Sequence, residues 1–292
     1  MLEGVARRRI ARPEAGIEIA LLDFGGDGPR ALFHHANGFC AALFAPLALA
    51  LRGVCRVIAM DARGHGDSSQ PEDPDAYAWP HFVDDLIAVV DALAAEPGAG
   101  PLALGVGHSF GGTATLAAAA RRPDLFGRIV LLDPVVHRPD PRETAAQHRE
   151  RIARLVERAQ KRRRAWASRA EARAWWSARD FFADFDPRVL ELYAQEGLRE
   201  RPDGQVELKC APEVEAAVFA RGNTMNLFDE VDGARVPACI AWARHGNFAR
   251  DVYASLAAKL PNARIEDVDA GHLFPLERPE LAADLIRRAT LS

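Results

Sequence analysis

The sequence predicts an α/β fold: a mostly parallel, doubly wound sheet with helices on both faces, interrupted by an inserted helical cap. Three observations carry this expectation. Short apolar, β-branched runs alternate with stretches of helical periodicity in the first half of the chain. That alternation stops near residue 135 and resumes near residue 236. Before the interruption, one buried run passes into an alanine-rich helix through the tight turn Gly107-His108-Ser109-Phe110-Gly111. Strands alternating with helices favour parallel pairing, because each crossover helix covers a sheet face.

Taken in order, residues 17–24 and 31–34 read as strands, and 56–60 is a β-branched run that ends at the turn-forming residues 61–68. Residues 79–93 have helical periodicity, with Asp84, Asp85 and Asp91 assigned to the polar side. Residues 102–107 read as a buried strand, 111–121 as a helix stopped by Pro123, and 129–132 as another short buried strand. After the interruption, 238–243 reads as a strand, 250–260 as a helix, 264–268 as a strand, and 279–289 as a terminal helix with Pro279 suited to its first turn. The expected division is a core of residues 1–134 and 236–292 with a cap of residues 135–235.

The chain has 292 residues, enough to bury about three quarters of its unfolded surface without staples. Its four cysteines form neither a CxxC pair nor a zinc spacing, so reduced thiols, no metal and no cofactor are expected. The first ten residues have arginines with no apolar run behind them, and no stretch is long and apolar enough to span a bilayer. A cytoplasmic location without membrane contact is therefore expected. The formal net charge of −4 gives no general reason to expect nucleic acid as a partner. Residues 149–173, however, hold ten Arg/Lys against three Glu.

The turn at 107–111 matches G-x-S-x-G, and its context is a strand before and a helix after. A sharp strand-to-helix turn strains the central residue, the glycines leave room for it, and the serine hydroxyl projects above the sheet near the positive end of the helix dipole. A dinucleotide loop does not fit, since the third glycine position of G-x-G-x-x-G is Phe110.

With these residues the chain resembles the α/β-hydrolase family. Besides the serine elbow, His34-His35-Ala36-Asn37-Gly38-Phe39 is similar to that family's oxyanion turn. Asp61-Ala62-Arg63-Gly64-His65-Gly66-Asp67-Ser68 is similar to its D-x-R-G-x-G-x-S loop, and Ala270-Gly271-His272 to its C-terminal histidine loop. The resemblance implies a Ser–acid–His triad in that chain order, with Ser109 as nucleophile and His272 as general base. Of the nine histidines, His272 alone follows the last expected strand; His108 lies on the elbow, His65 suits a structural role, and His34 and His35 shape the oxyanion turn.

The acid departs from the common pattern. The family usually carries it after the seventh strand, where this chain reads Ala243-Arg244-His245-Gly246-Asn247-Phe248, without a carboxylate. Members with the acid after the sixth strand make Asp133 the first candidate, with Asp251 as the alternative. By the same resemblance, the oxyanion hole uses the backbone N–H groups of Phe110 and Asn37.

The insertion sits where the family carries a cap. Of Trp166, Trp175, Trp176, Phe181, Phe182, Phe185 and Tyr193, most are expected in the cap's own core and two or three at the pocket. Arg149, Arg151, Arg154 and Arg158 interleave with Ile152, Leu155 and Val156, which predicts an amphipathic helix with a solvated basic face. The expected function is hydrolysis of an ester or related acyl substrate, a largely apolar small molecule, through an acyl-enzyme. The alternatives are a C–C bond or lactone hydrolase with the same triad, or a non-catalytic ligand-binding homologue. Ser109 argues against the branches that use an aspartate nucleophile.

Overall fold

Eight strands form one sheet, in the spatial order Ala6–Arg12, Ile17–Gly25, Arg56–Met60, Arg30–His34, Leu102–His108, Phe126–Leu132, Ala238–His245 and Ala263–Gly271. The computed structural model describes residues 1–136 and 144–291. The strands of the first half are β1 (Ala6–Arg12), β2 (Ile17–Gly25), β3 (Arg30–His34), β4 (Arg56–Met60), β5 (Leu102–His108) and β6 (Phe126–Leu132). After the interruption come β10 (Ala238–His245) and β11 (Ala263–Gly271). Pairing is parallel from β4 through β11, while β2 runs antiparallel to both of its neighbours. The doubly wound, mostly parallel architecture is therefore as the alternation of the sequence predicts.

The core helices are α1 (Ala45–Ala50), α2 (Trp79–Ala94), α3 (Phe110–Arg121), α9 (Arg250–Ala257), α10 (Phe274–Glu277) and α11 (Pro279–Leu291). Helix α3 is buried from Phe110 to Ala120. Its run of alanines and glycines is what permits this: small side chains let the helix lie close against the sheet beneath it. The tightest approach is at the elbow, where a Cβ on Gly107 would come within 2.3 Å of the Gly111 carbonyl oxygen. No residue with a side chain fits there.

Three features differ from the sequence expectation. Strand β1 carries Arg7, Arg8 and Arg9 and shows no clean apolar alternation, because it is the edge of the sheet and Arg7 and Arg9 face solvent. Helix α1 is too short for helical periodicity to register. The interruption is also not wholly helical. Besides α4 (Ala145–Gln160), α5 (Arg169–Ser177), α6 (Pro187–Glu196), α7 (Pro212–Ala220) and α8 (Leu227–Glu230), it holds β7 (Ala165–Trp166), β8 (Leu198–Glu200) and β9 (Val206–Leu208), which form a small antiparallel sheet. Strands of two or three residues are below the length at which alternation can be read. Residues 137–143 of the expected insertion, and residue 292, lie outside the described residues.

All four cysteines are buried and free. Among the described residues, no helix is long and apolar enough to cross a membrane.

Buried charge locks the loop after β4 to the core. Asp85, expected on the polar side of its helix, is instead 1% exposed. Its Oδ2 accepts from Arg63 Nε at 2.6 Å, and its Oδ1 accepts from Arg63 Nη2 at 2.7 Å and Arg12 Nη1 at 2.5 Å. The bidentate pair with Arg63 holds the 61–68 loop on α2, while Arg12 ties in the end of β1. Removing the shared carboxylate strands two buried guanidinium groups, which typically costs about 3–5 kcal/mol. Asp85→Ala is therefore expected to lower the urea unfolding midpoint sharply; an unchanged midpoint would refute a structural role for this pair.

Candidate active site

Ser109 stands between β5 and α3 with φ of 56°, one of two non-glycine residues with positive φ among those described. The other is Asp133, at 44°, just beyond the end of β6. Such backbone is costly for residues with a side chain and persists only where surrounding bonds hold it. Those bonds are present. Ser109 N–H donates to Leu132 O at 3.0 Å, Val135 N–H to Ser109 O at 3.2 Å, and Asp133 N–H to Ala241 O at 2.8 Å. The two strained residues are thus pinned to adjacent strand ends.

His272 follows β11 and reaches back over the sheet. Its Nε2 lies 2.8 Å from Ser109 Oγ, and its Nδ1 lies 2.5 Å from Asp133 Oδ2. A carboxylate facing Nδ1 puts the imidazole proton there and leaves Nε2 to accept the serine hydroxyl. Asp133 has no exposed surface. Its Oδ1 is satisfied separately, by Ala243 N–H at 3.0 Å and by the Tyr253 hydroxyl at 3.0 Å. Asp251, the alternative acid, is exposed in the first turn of α9 and makes no bond to His272. Gly246 occupies the loop after β10, where a Cβ would lie 2.6 Å from Asp133 Oδ2. In this chain the loop after the seventh strand of the α/β-hydrolase pattern gives up its carboxylate and packs against the Asp133 carboxylate.

The two expected oxyanion donors are available. Neither Phe110 N–H nor Asn37 N–H has an acceptor among the described residues. The neighbouring Gly38 N–H, by contrast, is taken by His65 Nε2 at 3.1 Å, while His65 Nδ1 donates to Arg63 O at 2.9 Å. His65 therefore shapes the turn and removes Gly38 from the set of free donors. His108 Nε2 donates to the His272 carbonyl at 2.9 Å and so fixes the backbone of the histidine loop.

The Asn37–Gly38 turn is also clamped from the interrupting segment. The Tyr193 hydroxyl donates to Gly38 O at 3.0 Å, Arg162 Nη2 donates to the Tyr193 oxygen at 2.7 Å, and Arg162 Nη1 pairs with Glu215. Asn37 Nδ2 donates to Glu215 O at 3.1 Å. A Cβ on Gly38, which has φ of 82°, would meet the Glu215 carboxyl at 3.0 Å. Sequence reasoning missed Tyr253, Tyr193, Arg162 and Glu215, since each acts through a partner more than 30 residues away.

Over Ser109 lies a cavity of about 840 Å³. Trp175, Trp176, Phe181 and Phe182 line it, whereas Trp166, Phe185 and Tyr193 do not. The basic helix keeps its expected solvated face, with Arg149, Arg154 and Arg158 exposed and Arg154 paired with Glu150, while Arg151 and Arg158 also border the cavity together with Ile152, Leu155 and Ala159. The apolar stripe of α4 is a cavity wall, and arginines on its margins come with it.

A nucleophile elbow at the end of a central parallel strand, with a histidine and a buried acid on neighbouring strand ends, defines the class of α/β hydrolases. The chain belongs to the Alpha/beta hydrolase family, whose sequence model matches residues 31–285. Lipase LipV of Mycobacterium tuberculosis is 29% identical over 232 residues, covering 79% of this chain and 82% of that protein. The 2-(acetamidomethylene)succinate hydrolase of Mesorhizobium japonicum is 37% identical over 108 residues, 37% of this chain and 36% of that protein. The crystal structure of an E-2-(acetamidomethylene)succinate hydrolase superposes with a TM-score of 0.80 at 23% identity, over 99% of this chain and 100% of that one, which is a likeness of fold.

The histidines behind the site give a pH dependence. Burial drives His34 and His65 down from 6.5 to about 4 and His108 to about 3, and holds His35 well below 6.5. All four are neutral in the fold and protonate near pH 6.5 once unfolded. Below that pH the unfolded chain binds more protons, so stability falls as pH falls toward the folded values. The slope approaches about 1.4 kcal/mol per pH unit for each histidine. The guanidinium midpoint is expected to drop clearly between pH 7 and pH 5; a flat profile would contradict four buried neutral imidazoles.

Proposed function

We propose that the protein is a serine hydrolase that cleaves a carboxylic ester or related acyl compound through Ser109, His272 and Asp133, with residues 135–235 acting as its cap. The observation that carries this reading is the unbroken hydrogen-bond chain from Ser109 Oγ through both imidazole nitrogens of His272 to Asp133 Oδ2, at 2.8 and 2.5 Å.

The chemistry follows from the geometry. Ser109 Oγ attacks the acyl carbon while its proton passes to His272 Nε2. Asp133 holds the ring in the required tautomer and stabilises the imidazolium. The carbonyl oxygen becomes an oxyanion between the N–H groups of Phe110 and Asn37, donors already oriented and unused. His272 then protonates the leaving group. Water, activated by the same nitrogen, cleaves the acyl–Oγ bond and restores the hydroxyl.

The size of the cavity suits a small molecule, and its aromatic wall suits an apolar carbon skeleton. A small acyl compound, not nucleic acid, is the partner this supports. Much of the basic run is neutralised within the chain: Lys161 by Glu157, Arg162 by Glu215, Arg163 by Glu171 and Arg164 by Glu213.

A fluorophosphonate probe is expected to label the wild-type protein and not Ser109→Ala. Asp133→Asn should retain the fold and lose turnover by about 10⁴, the scale of the corresponding change in serine proteases, whereas Asp251→Asn should differ little from wild type. Absence of labelling in folded wild type would favour a non-catalytic ligand-binding protein, and equal losses at the two aspartates would remove Asp133 from the mechanism.

A further inference from the structure

The reading of an apolar substrate leaves the charges of the cavity unexplained. Five arginines line it, all from the interrupting segment. Arg162 and Arg163 have carboxylate partners, Glu215 and Glu171. Arg158 and Arg179 have none among the described residues. Arg179 lies with its guanidinium carbon 4.1 Å from the Trp175 ring centroid, an arrangement that orients the planar group and leaves its N–H edge open. Asp180 follows it in sequence, yet no ion pair joins the two.

The cavity also holds carboxylates: Asp180, Asp184, Glu215 and Glu277 belong to its lining, and Glu277 lies beside His272. Burial and the Asp184 charge raise the Glu277 carboxyl above its ordinary range, which favours its neutral form. The arginine wall lies on α4 and beyond. Arg162, just past the end of α4, reaches Gly38 of the oxyanion turn through Tyr193. Arg158 is four residues back, about 6 Å along the helix axis, and Arg151 about 10 Å further. Arg158 thus borders the same cavity as Ser109, Phe110 and Asn37.

We propose that the substrate carries a carboxylate on its acyl half, received by Arg158 and Arg179, so that the protein prefers half-esters of short dicarboxylic acids to neutral esters. This rests on the serine-hydrolase reading above and adds the charge of the substrate to it. A guanidinium receives a carboxylate through paired N–H bonds, which favour a planar anion over a neutral ester of similar shape. The chemistry of cleavage is unchanged: the acyl–oxygen bond breaks, water supplies the hydroxyl and the leaving alcohol takes the proton.

The test compares the mono-4-nitrophenyl ester of glutaric acid with its methyl ester, which has the same chain and no charge. Wild type is expected to favour the charged compound at least tenfold in kcat/KM, chiefly through KM, with the preference shrinking as salt rises. Arg158→Gln and Arg179→Gln should each reduce the ratio several-fold, whereas Arg154→Gln, on the solvent side of the same helix, should leave it at the wild-type value. A second measurement does not require turnover: glutarate should raise the melting temperature of wild type and not of the Arg158→Gln protein. Equal hydrolysis of both esters would overturn the charged-substrate proposal while leaving the serine hydrolase intact. Hydrolysis of neither, with no fluorophosphonate labelling, would overturn the hydrolase reading, and the glutarate shift would then decide the anion site alone.

Discussion

A carboxylate with no exposed surface organises the site. Burying an ionised group is tolerated only when its lone pairs are occupied. Asp133 meets that requirement from three elements: the β10 backbone at Ala243, the α9 side chain Tyr253 and the loop after β11 through His272. Each bond constrains the element that makes it. The histidine is held over the serine because the acid needs a donor there, and Gly246 lacks a side chain because the acid already fills that space. The positive φ at Asp133 and at Ser109 is held by bonds between neighbouring strand ends.

Parallel pairing makes this convergence possible. The ends of β5, β6, β10 and β11 lie side by side at one edge of the sheet, so residues separated by more than 130 positions meet within hydrogen-bond distance. The interrupting segment then acts from above. Through Tyr193, Arg162 and Glu215 it grips the Asn37–Gly38 turn, while His65 grips the same turn from below. The cavity over Ser109 and the Asn37–Gly38 turn therefore share a wall.

Most of the sheet could be read from the chain, because buried parallel strands are continuous apolar runs bounded by turns. The serine and histidine could be read because local backbone chemistry marks them: glycines that a tight elbow requires, and a Gly-His pair after the last strand. The basic run was harder. Its composition suggests a solvated face, and Arg149, Arg154 and Arg158 are exposed, yet Arg151 and Arg158 also border the cavity because Ile152, Leu155 and Ala159 face it and carry the helix margins with them. Asp85 was misread for a related reason, since a carboxylate can be buried when two arginines from distant strands and loops converge on it.

The sequence by itself determined the order of strands and helices, the elbow and the chemical types available at the site, because periodicity and turn chemistry are local properties. Tertiary structure alone decided which carboxylate lies against His272, which arginines face the cavity and which backbone N–H groups stay free. Those outcomes depend on distances between residues remote in the chain, which packing sets and no local pattern encodes.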